Sequence, residues 1–216
     1  MKKILLLGAI AILAVACGNK AKTENENAKT GQNAEYTQYL DSLKADNNLK
    51  ITMGKVPVTI VGKELKVGDE IKEVPLVVNS KLDEKNIFED KNIKVIYTAP
   101  SLDTKVCSLQ TKQLNEAAKK YPNVKFYSVT VDTPFAQERF CTANEINGLK
   151  AVSDFKYHQF GIQNGFFVKE KGLLTRALTI LDENNTVKYI EYVPEEGKEA
   201  NIDKALKFLE NNLIKK

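Results

Sequence analysis

Between Ile93 and Val131 the chain runs strand, helix, strand, and that order constrains its fold more than any other feature. Ile93 to Thr98 is an apolar strand run, and Val124 to Val131 is a second one. Between them, after Pro100, the apolar residues Val106, Leu109, Leu114, Ala117 and Tyr121 share one helical face and predict its buried side. Two strands joined through a helix must lie parallel. Downstream, Phe135 to Asn144 reads as a helix with Pro134 suited to its first turn. Ala151 to Phe155 reads as short and extended, and Tyr157 to Phe160 as a helical turn. Arg176 to Leu181 and Thr186 to Val193 flank Asp182-Glu183-Asn184-Asn185 and predict an antiparallel hairpin. Ile202, Ala205, Leu206, Leu209 and Leu213 then form the apolar stripe of a terminal helix. Upstream, Glu73 to Val78 is expected to be a strand, and Val56 to Val61 with Glu64 to Val67 a small hairpin turning at Gly62-Lys63.

A parallel βαβ unit followed by an antiparallel hairpin and a last helix requires a mixed sheet. The expected fold is therefore α/β: a thioredoxin-like sandwich, with a mixed β-sheet flanked by helices and an N-terminal β-hairpin.

The first fifty residues do not belong to that core. Lys2 and Lys3 precede the apolar run Ile4 to Ala16, which is too short to cross a membrane comfortably and suits a secretory signal. The run closes on Ala14-Val15-Ala16-Cys17-Gly18, which resembles the lipobox of bacterial lipoproteins, where the cysteine is acylated and becomes the new N-terminus. Residues 1–16 are thus expected to be a signal peptide. Residues 17–50, rich in Asn, Lys, Glu, Thr and Ala, are expected to be a flexible tether spanning on the order of 30 Å. Residues 51–216 form the folded domain. Tyr36, Tyr39, Leu40 and Leu43 have the spacing of one or two helical turns within the tether. The implied location is exported and membrane-anchored, at the cell envelope.

With Cys17 assigned to lipid, two of the three cysteines remain, Cys107 and Cys141. Two are too few for a stapling framework, and a chain of this size does not need one. Cys107 lies in the first turn of the helix that follows a strand, where free N–H groups and the helix dipole stabilise a thiolate. Thiolate formation alone adds little reactivity. Taking a cysteine pKa from about 8.5 to about 6 raises the thiolate fraction at pH 7 roughly thirtyfold. Falling nucleophilicity removes roughly a factor of ten of that gain. A catalytic cysteine therefore also needs neighbouring groups, such as a hydroxyl and a fixed cation, that stabilise the charge developing on the atom that leaves.

Three segments carry a resemblance. Pro100-Ser101-Leu102-Asp103-Thr104-Lys105-Val106-Cys107 resembles the signature of thiol peroxidases, the atypical two-cysteine branch of the peroxiredoxins. Asp132-Thr133-Pro134-Phe135-Ala136-Gln137-Glu138-Arg139-Phe140-Cys141 is similar to that family's resolving-cysteine helix, and Cys141 stands 34 residues beyond Cys107. Gly172-Leu173-Leu174-Thr175-Arg176-Ala177 resembles the segment bearing the active-site arginine. The resemblance implies that Cys107 is the peroxidatic nucleophile and that Thr104 hydrogen-bonds the thiolate and the peroxide. It implies that Arg176 stabilises the thiolate and the leaving oxygen, and that Pro100 shields the site. Cys141 would close an intramolecular disulfide with Cys107, recycled by a thioredoxin-like reductant. No cofactor or metal is implied, the substrates are hydroperoxides, and a homodimer is expected. The family is usually cytoplasmic and lacks a tether, which leaves the reductant open.

Other classes compete less well. A membrane-anchored thiol-disulfide oxidoreductase of thioredoxin fold would carry Cys-x-x-Cys, which is missing. A metal site built from Cys107, Cys141 and His158 lacks a closely spaced ligand pair, and His158 reads as a solvated helix residue. A purely structural disulfide closing this loop would contribute about 3–4 kcal/mol, and only reducibility separates it from a catalytic bond. Beyond the signal the formal charge of +4 falls to +2, with lysines interleaved among acids, so no nucleic-acid partner is expected.

Overall fold

The computed structural model describes residue 35 and residues 37–214. The signal segment, Cys17, Tyr36 and the first half of the tether lie outside the described residues. The chain divides into two compact units, Met1–Ser42 and Leu43–Lys216. In the first, residues 37–42 are helical, as the spacing of Tyr39 and Leu40 suggested.

The second unit is built on a seven-stranded sheet. Its strands are β1 (Leu76–Val77), β2 (Glu84–Lys85), β3 (Ile93–Thr98), β4 (Val124–Thr130), β5 (Lys150–Ser153), β6 (Ala177–Leu181) and β7 (Val187–Tyr192), in the order β7-β6-β3-β4-β5-β1-β2. β3, β4 and β5 are parallel, while β6, β7, β1 and β2 each run antiparallel to an inner neighbour. The helices are α1 (Lys105–Ala118), α2 (Pro134–Ala143), α3 (Gln159–Gln163) and α4 (Ile202–Asn212). The expected mixed sheet flanked by helices is present, and Pro134 opens α2 as its missing N–H allows.

Strand alternation divides the core. Val95 and Tyr97 of β3 and Leu178 and Ile180 of β6 point to one face, where they pack with Leu114 and Ala117 of α1 and Ala205 and Leu209 of α4. Leu114 is almost fully buried, and its truncation to alanine would cost about 2–5 kcal/mol. A separate aromatic cluster forms where Phe160 of α3 stacks on Phe88 and Phe166, at 6.1 and 5.6 Å between ring centroids.

Four expectations need correction. The N-terminal hairpin turns at Gly54-Lys55, where both residues have positive φ (57° and 67°), and pairs Ile51–Met53 with Val56–Val58. Gly62 is not its turn: a side chain there would meet the Ile162 carbonyl at 2.2 Å, so that glycine permits close backbone approach. Ile60–Lys63 instead pairs with Phe167–Val168 and with Ala45–Asp46, in a smaller sheet. The compact unit accordingly begins at Leu43 rather than Ile51. Backbone pairing by Ala45–Asp46, and Asn47 Nδ2 donating to the Ile60 and Gly62 carbonyls, leave no trace in composition.

Only Leu76–Val77 of the expected strand 73–78 pairs. On α1 the buried face is Cys107, Gln110, Thr111, Leu114, Asn115, Ala117 and Ala118, while Leu109 is 47% exposed. Gln110 and Asn115 can occupy that face because they are bonded; Asn115 Oδ1, for example, accepts from the Asn147 and Gly148 amides at 2.9 and 2.7 Å, while the Thr111 hydroxyl is buried without a partner.

Candidate active site

Cys107 is the third residue of α1, in a first turn that contains no acidic side chain to offset the positive end of the helix. Its side chain faces the sheet, and the residue is fully buried. Both it and Cys141 are free thiols.

Arg176 reaches Cys107 through sheet register. Ala177 pairs with Thr98 and Leu178 with Tyr97, so Arg176, two residues from Leu178, turns to the same face as Tyr97. Arg176 is 1% exposed, and its Nη1 donates to Cys107 Sγ at 3.2 Å. The same Nη1 donates to the Tyr97 hydroxyl. Nη2 donates to the Glu196 carbonyl at 2.9 Å and ion-pairs with Glu196 Oε1 at 3.0 Å. Nε is buried without a partner. Burial works against the guanidinium charge, but Tyr97, Cys107 and Glu196 outweigh it and hold Arg176 above its ordinary value. Burial likewise raises the Glu196 carboxyl, with Arg176 opposing. The N-terminal hairpin positions the strap after β7 that carries Glu196: Thr52 exchanges backbone hydrogen bonds with Pro194 and Glu196, each at 2.9 Å.

The loop before α1 is pinned by Asp132, whose Oδ2 accepts from the Leu102 amide at 2.7 Å and the Thr130 hydroxyl at 2.9 Å. Pro100 is buried. Thr104 occupies the N-cap position of α1 without a side-chain cap bond. Its hydroxyl donates to the Ser101 carbonyl at 3.1 Å and not to Cys107, which corrects the expected thiolate bond. The cause is local: residues 101–104 form a tight turn in which the Thr104 amide bonds that same carbonyl.

Cys141 sits apart, in the last turn of α2, half-buried and lining a cavity of about 180 Å³ with Val78, Asn79, Gln137 and Ala151. Burial pushes its thiol above the ordinary value. Gln137, one turn earlier, ties α2 down by donating to Thr130 Oγ1 at 3.0 Å and the Val152 carbonyl at 2.9 Å. His158 is half-buried against Phe167, with ring centroids 5.2 Å apart, and is not the solvated residue expected. Among the described residues no group of three His, Cys, Asp or Glu side chains could hold a metal ion.

Sequence reasoning missed Tyr97, Gln110, Glu196 and Asp132. Gln110 lies three residues after Cys107 on the same helical face, and Tyr97 alternates with the core residue Val95. Those periods could have found the pair. Glu196 and Asp132 act through loop conformation, for which no local pattern exists.

A buried thiol touched by a fixed cation, with a second free cysteine on a separate helix of the same domain, suits peroxide reduction. A family model described as Redoxin matches residues 66–206. A thiol peroxidase of Bacillus subtilis is 41% identical over 158 residues, which cover 73% of this chain and 94% of that protein. A peroxiredoxin-like protein from Aquifex aeolicus, solved as a crystal structure, is 37% identical, with a TM-score of 0.71 over 76% of this chain and 96% of that one. A thiol peroxidase from Chromobacterium violaceum, at 19% identity and a TM-score of 0.68, shares the fold. Fold and site thus define a thiol-dependent peroxidase of thioredoxin-like fold, which consumes a hydroperoxide and a reductant. Within that class, the chain belongs to the thiol peroxidase family of peroxiredoxins.

Proposed function

We propose that Cys107 is the peroxidatic nucleophile and that Arg176 stabilises both its thiolate and the departing oxygen. The observation that carries this is the 3.2 Å bond from Arg176 Nη1 to Cys107 Sγ, in a site closed to water. The thiolate attacks one peroxide oxygen. The S–O bond forms as the O–O bond breaks, and the second oxygen leaves as alcohol or water after taking a proton. The Arg176 charge beside the sulfur is the feature that would stabilise the departing oxygen. The Thr104 hydroxyl, whose hydrogen is committed to Ser101, keeps lone pairs that can accept the peroxide hydrogen.

Cys141 then attacks the Cys107 sulfenic acid, forming the disulfide and releasing water. Burial holds the Cys141 thiol above its ordinary value, and it lies on a separate element from Cys107, so we expect resolution to involve loosening of α2. A thioredoxin-like dithiol returns both cysteines to thiols. Steady peroxide consumption by the chain from residue 18 onward, with dithiothreitol and then with thioredoxin, tests the cycle. Turnover with dithiothreitol and none with thioredoxin would reassign the reductant.

The reading extends to the N-terminus. Cys17 carries the lipid, holding the enzyme at an extracytoplasmic membrane face, and two or more acyl chains suffice for stable anchoring. Support comes from the apolar run that ends in Ala14-Val15-Ala16-Cys17. Mass spectrometry of the mature N-terminal peptide should show acyl mass on Cys17, and an unmodified Cys17 there refutes the anchor. The homodimer implied by the resemblance is checked by sedimentation of the same protein.

A further inference from the structure

We propose that Tyr97 is a positioning residue for peroxide reduction: its hydroxyl locks the Arg176 guanidinium so that one Nη1 hydrogen stays on Cys107 Sγ. This rests on the reading of Cys107 as the peroxidatic thiol. The argument begins at the Gln110 amide, whose orientation is set at both ends. Nε2 donates to the Ala200 carbonyl at 2.7 Å, and Oε1 accepts from the Ala200 amide at 3.0 Å. Oε1 therefore faces the Tyr97 hydroxyl, at 3.2 Å. A carbonyl oxygen has no hydrogen, so the phenol must donate to it. The phenol has one hydrogen, and toward Arg176 it can only accept.

Arg176 Nη1 carries two hydrogens in a rigid plane, so holding one on the Tyr97 oxygen aims the other at Cys107. Glu196 holds the Nη2 corner of the fork. Two held corners fix the guanidinium plane and leave Nε–H in place without a partner. Burial raises the phenol above its ordinary range despite Arg176, which favours the donating form that this hydrogen-bonded chain uses. The Tyr97 ring alone would serve only as core filling; it is fully buried among Val95, Leu178 and Cys107. A phenylalanine would fill that space equally well. The hydroxyl is the part that the core does not require.

Tyr97→Phe in the full-length chain isolates the hydroxyl. Direct removal of a preorganised donor costs about a hundred- to a thousandfold, and the hydroxyl acts one atom further away. The second-order rate of Cys107 oxidation by hydrogen peroxide should fall about tenfold. Iodoacetamide alkylation of Cys107 needs a thiolate but no aligned oxygen donor, and at alkaline pH should stay within about twofold of wild type. Gln110→Met, which keeps side-chain volume and removes the acceptor of the phenol hydrogen, should reproduce a smaller loss of about threefold. It serves alone should Tyr97→Phe not fold. Wild-type peroxide rates in both variants overturn the inference, as does an equal fall in peroxide and alkylation rates, which marks a structural role. Cys107→Ser in the same assay keeps the outcomes separate: peroxide turnover by that variant sinks the peroxidatic reading itself, whatever Tyr97→Phe does.

Discussion

Two cysteines in one domain occupy opposite environments. Cys107 is fully buried at a helix N-terminus and held by a guanidinium that is fixed at both Nη corners. Cys141 is half-buried near a helix C-terminus, beside a small cavity, and burial pushes its thiol above the ordinary value. The first sulfur is prepared to share charge with a breaking bond. The second is a half-buried thiol with no cation bonded to it among the described residues, on an element held by side-chain bonds that include those of Gln137. On the proposed reading, reactivity follows fixed dipoles and charges rather than exposure, since the guanidinium sits on the buried cysteine and not on the more exposed one.

The comparison breaks most severely at the nucleophile. Cys107→Ser should abolish peroxide consumption, because among the described residues no other thiol is held by a cation. Near-wild-type turnover would move the chemistry to Cys141. Arg176→Lys should come next, with about a hundredfold lower rate of Cys107 oxidation. Lysine keeps the charge but cannot grip Tyr97, Glu196 and Cys107 at once from one planar group. Stopped-flow rates equal to wild type would reduce Arg176 to a packing residue.

How much of this was legible beforehand follows the same division. Cys107, Cys141 and Arg176 sit in contiguous motifs, and the βαβ pattern around them has long, regular periods. The hairpin was displaced because Gly62 reads as a turn, although its lack of a side chain serves a close approach to Ile162. Thr104 was assigned a bond to sulfur that the tight turn at Ser101 takes instead. Tyr97, Gln110 and Glu196 assemble from three separate stretches of chain. Their contacts exist only once β6 is in register with β3 and the strap after β7 has folded back.

A smaller effect distinguishes the Cys141 side, where β5 leads into Asp154. Its carboxylate oxygens accept from the Phe160 and Gly161 amides at 3.0 and 2.8 Å. Burial outweighs both bonds and pushes the carboxyl up to about 7. Folded Asp154 therefore keeps a proton that the unfolded chain releases near pH 4. The folded state binds more protons across that interval, so stability falls as pH rises from about 4 to about 7 and levels off above it. Calorimetry should show the melting temperature of the reduced protein dropping by several degrees between pH 5 and pH 8. Asp154→Asn should remove most of that drop, and an unchanged pH slope in the variant would discard the assignment.

The division of labour between the two cysteines is tested most directly by a single turnover of reduced Cys141→Ser with one equivalent of hydrogen peroxide, beside wild type. If Cys107 alone meets the peroxide, the first oxidation proceeds within about twofold of the wild-type rate. The variant then stalls with one sulfenic acid per chain, captured on Cys107 by a dimedone-type probe and open to further oxidation. A first oxidation slowed tenfold or more, or a variant that cycles normally with thioredoxin, would contradict the two-cysteine mechanism.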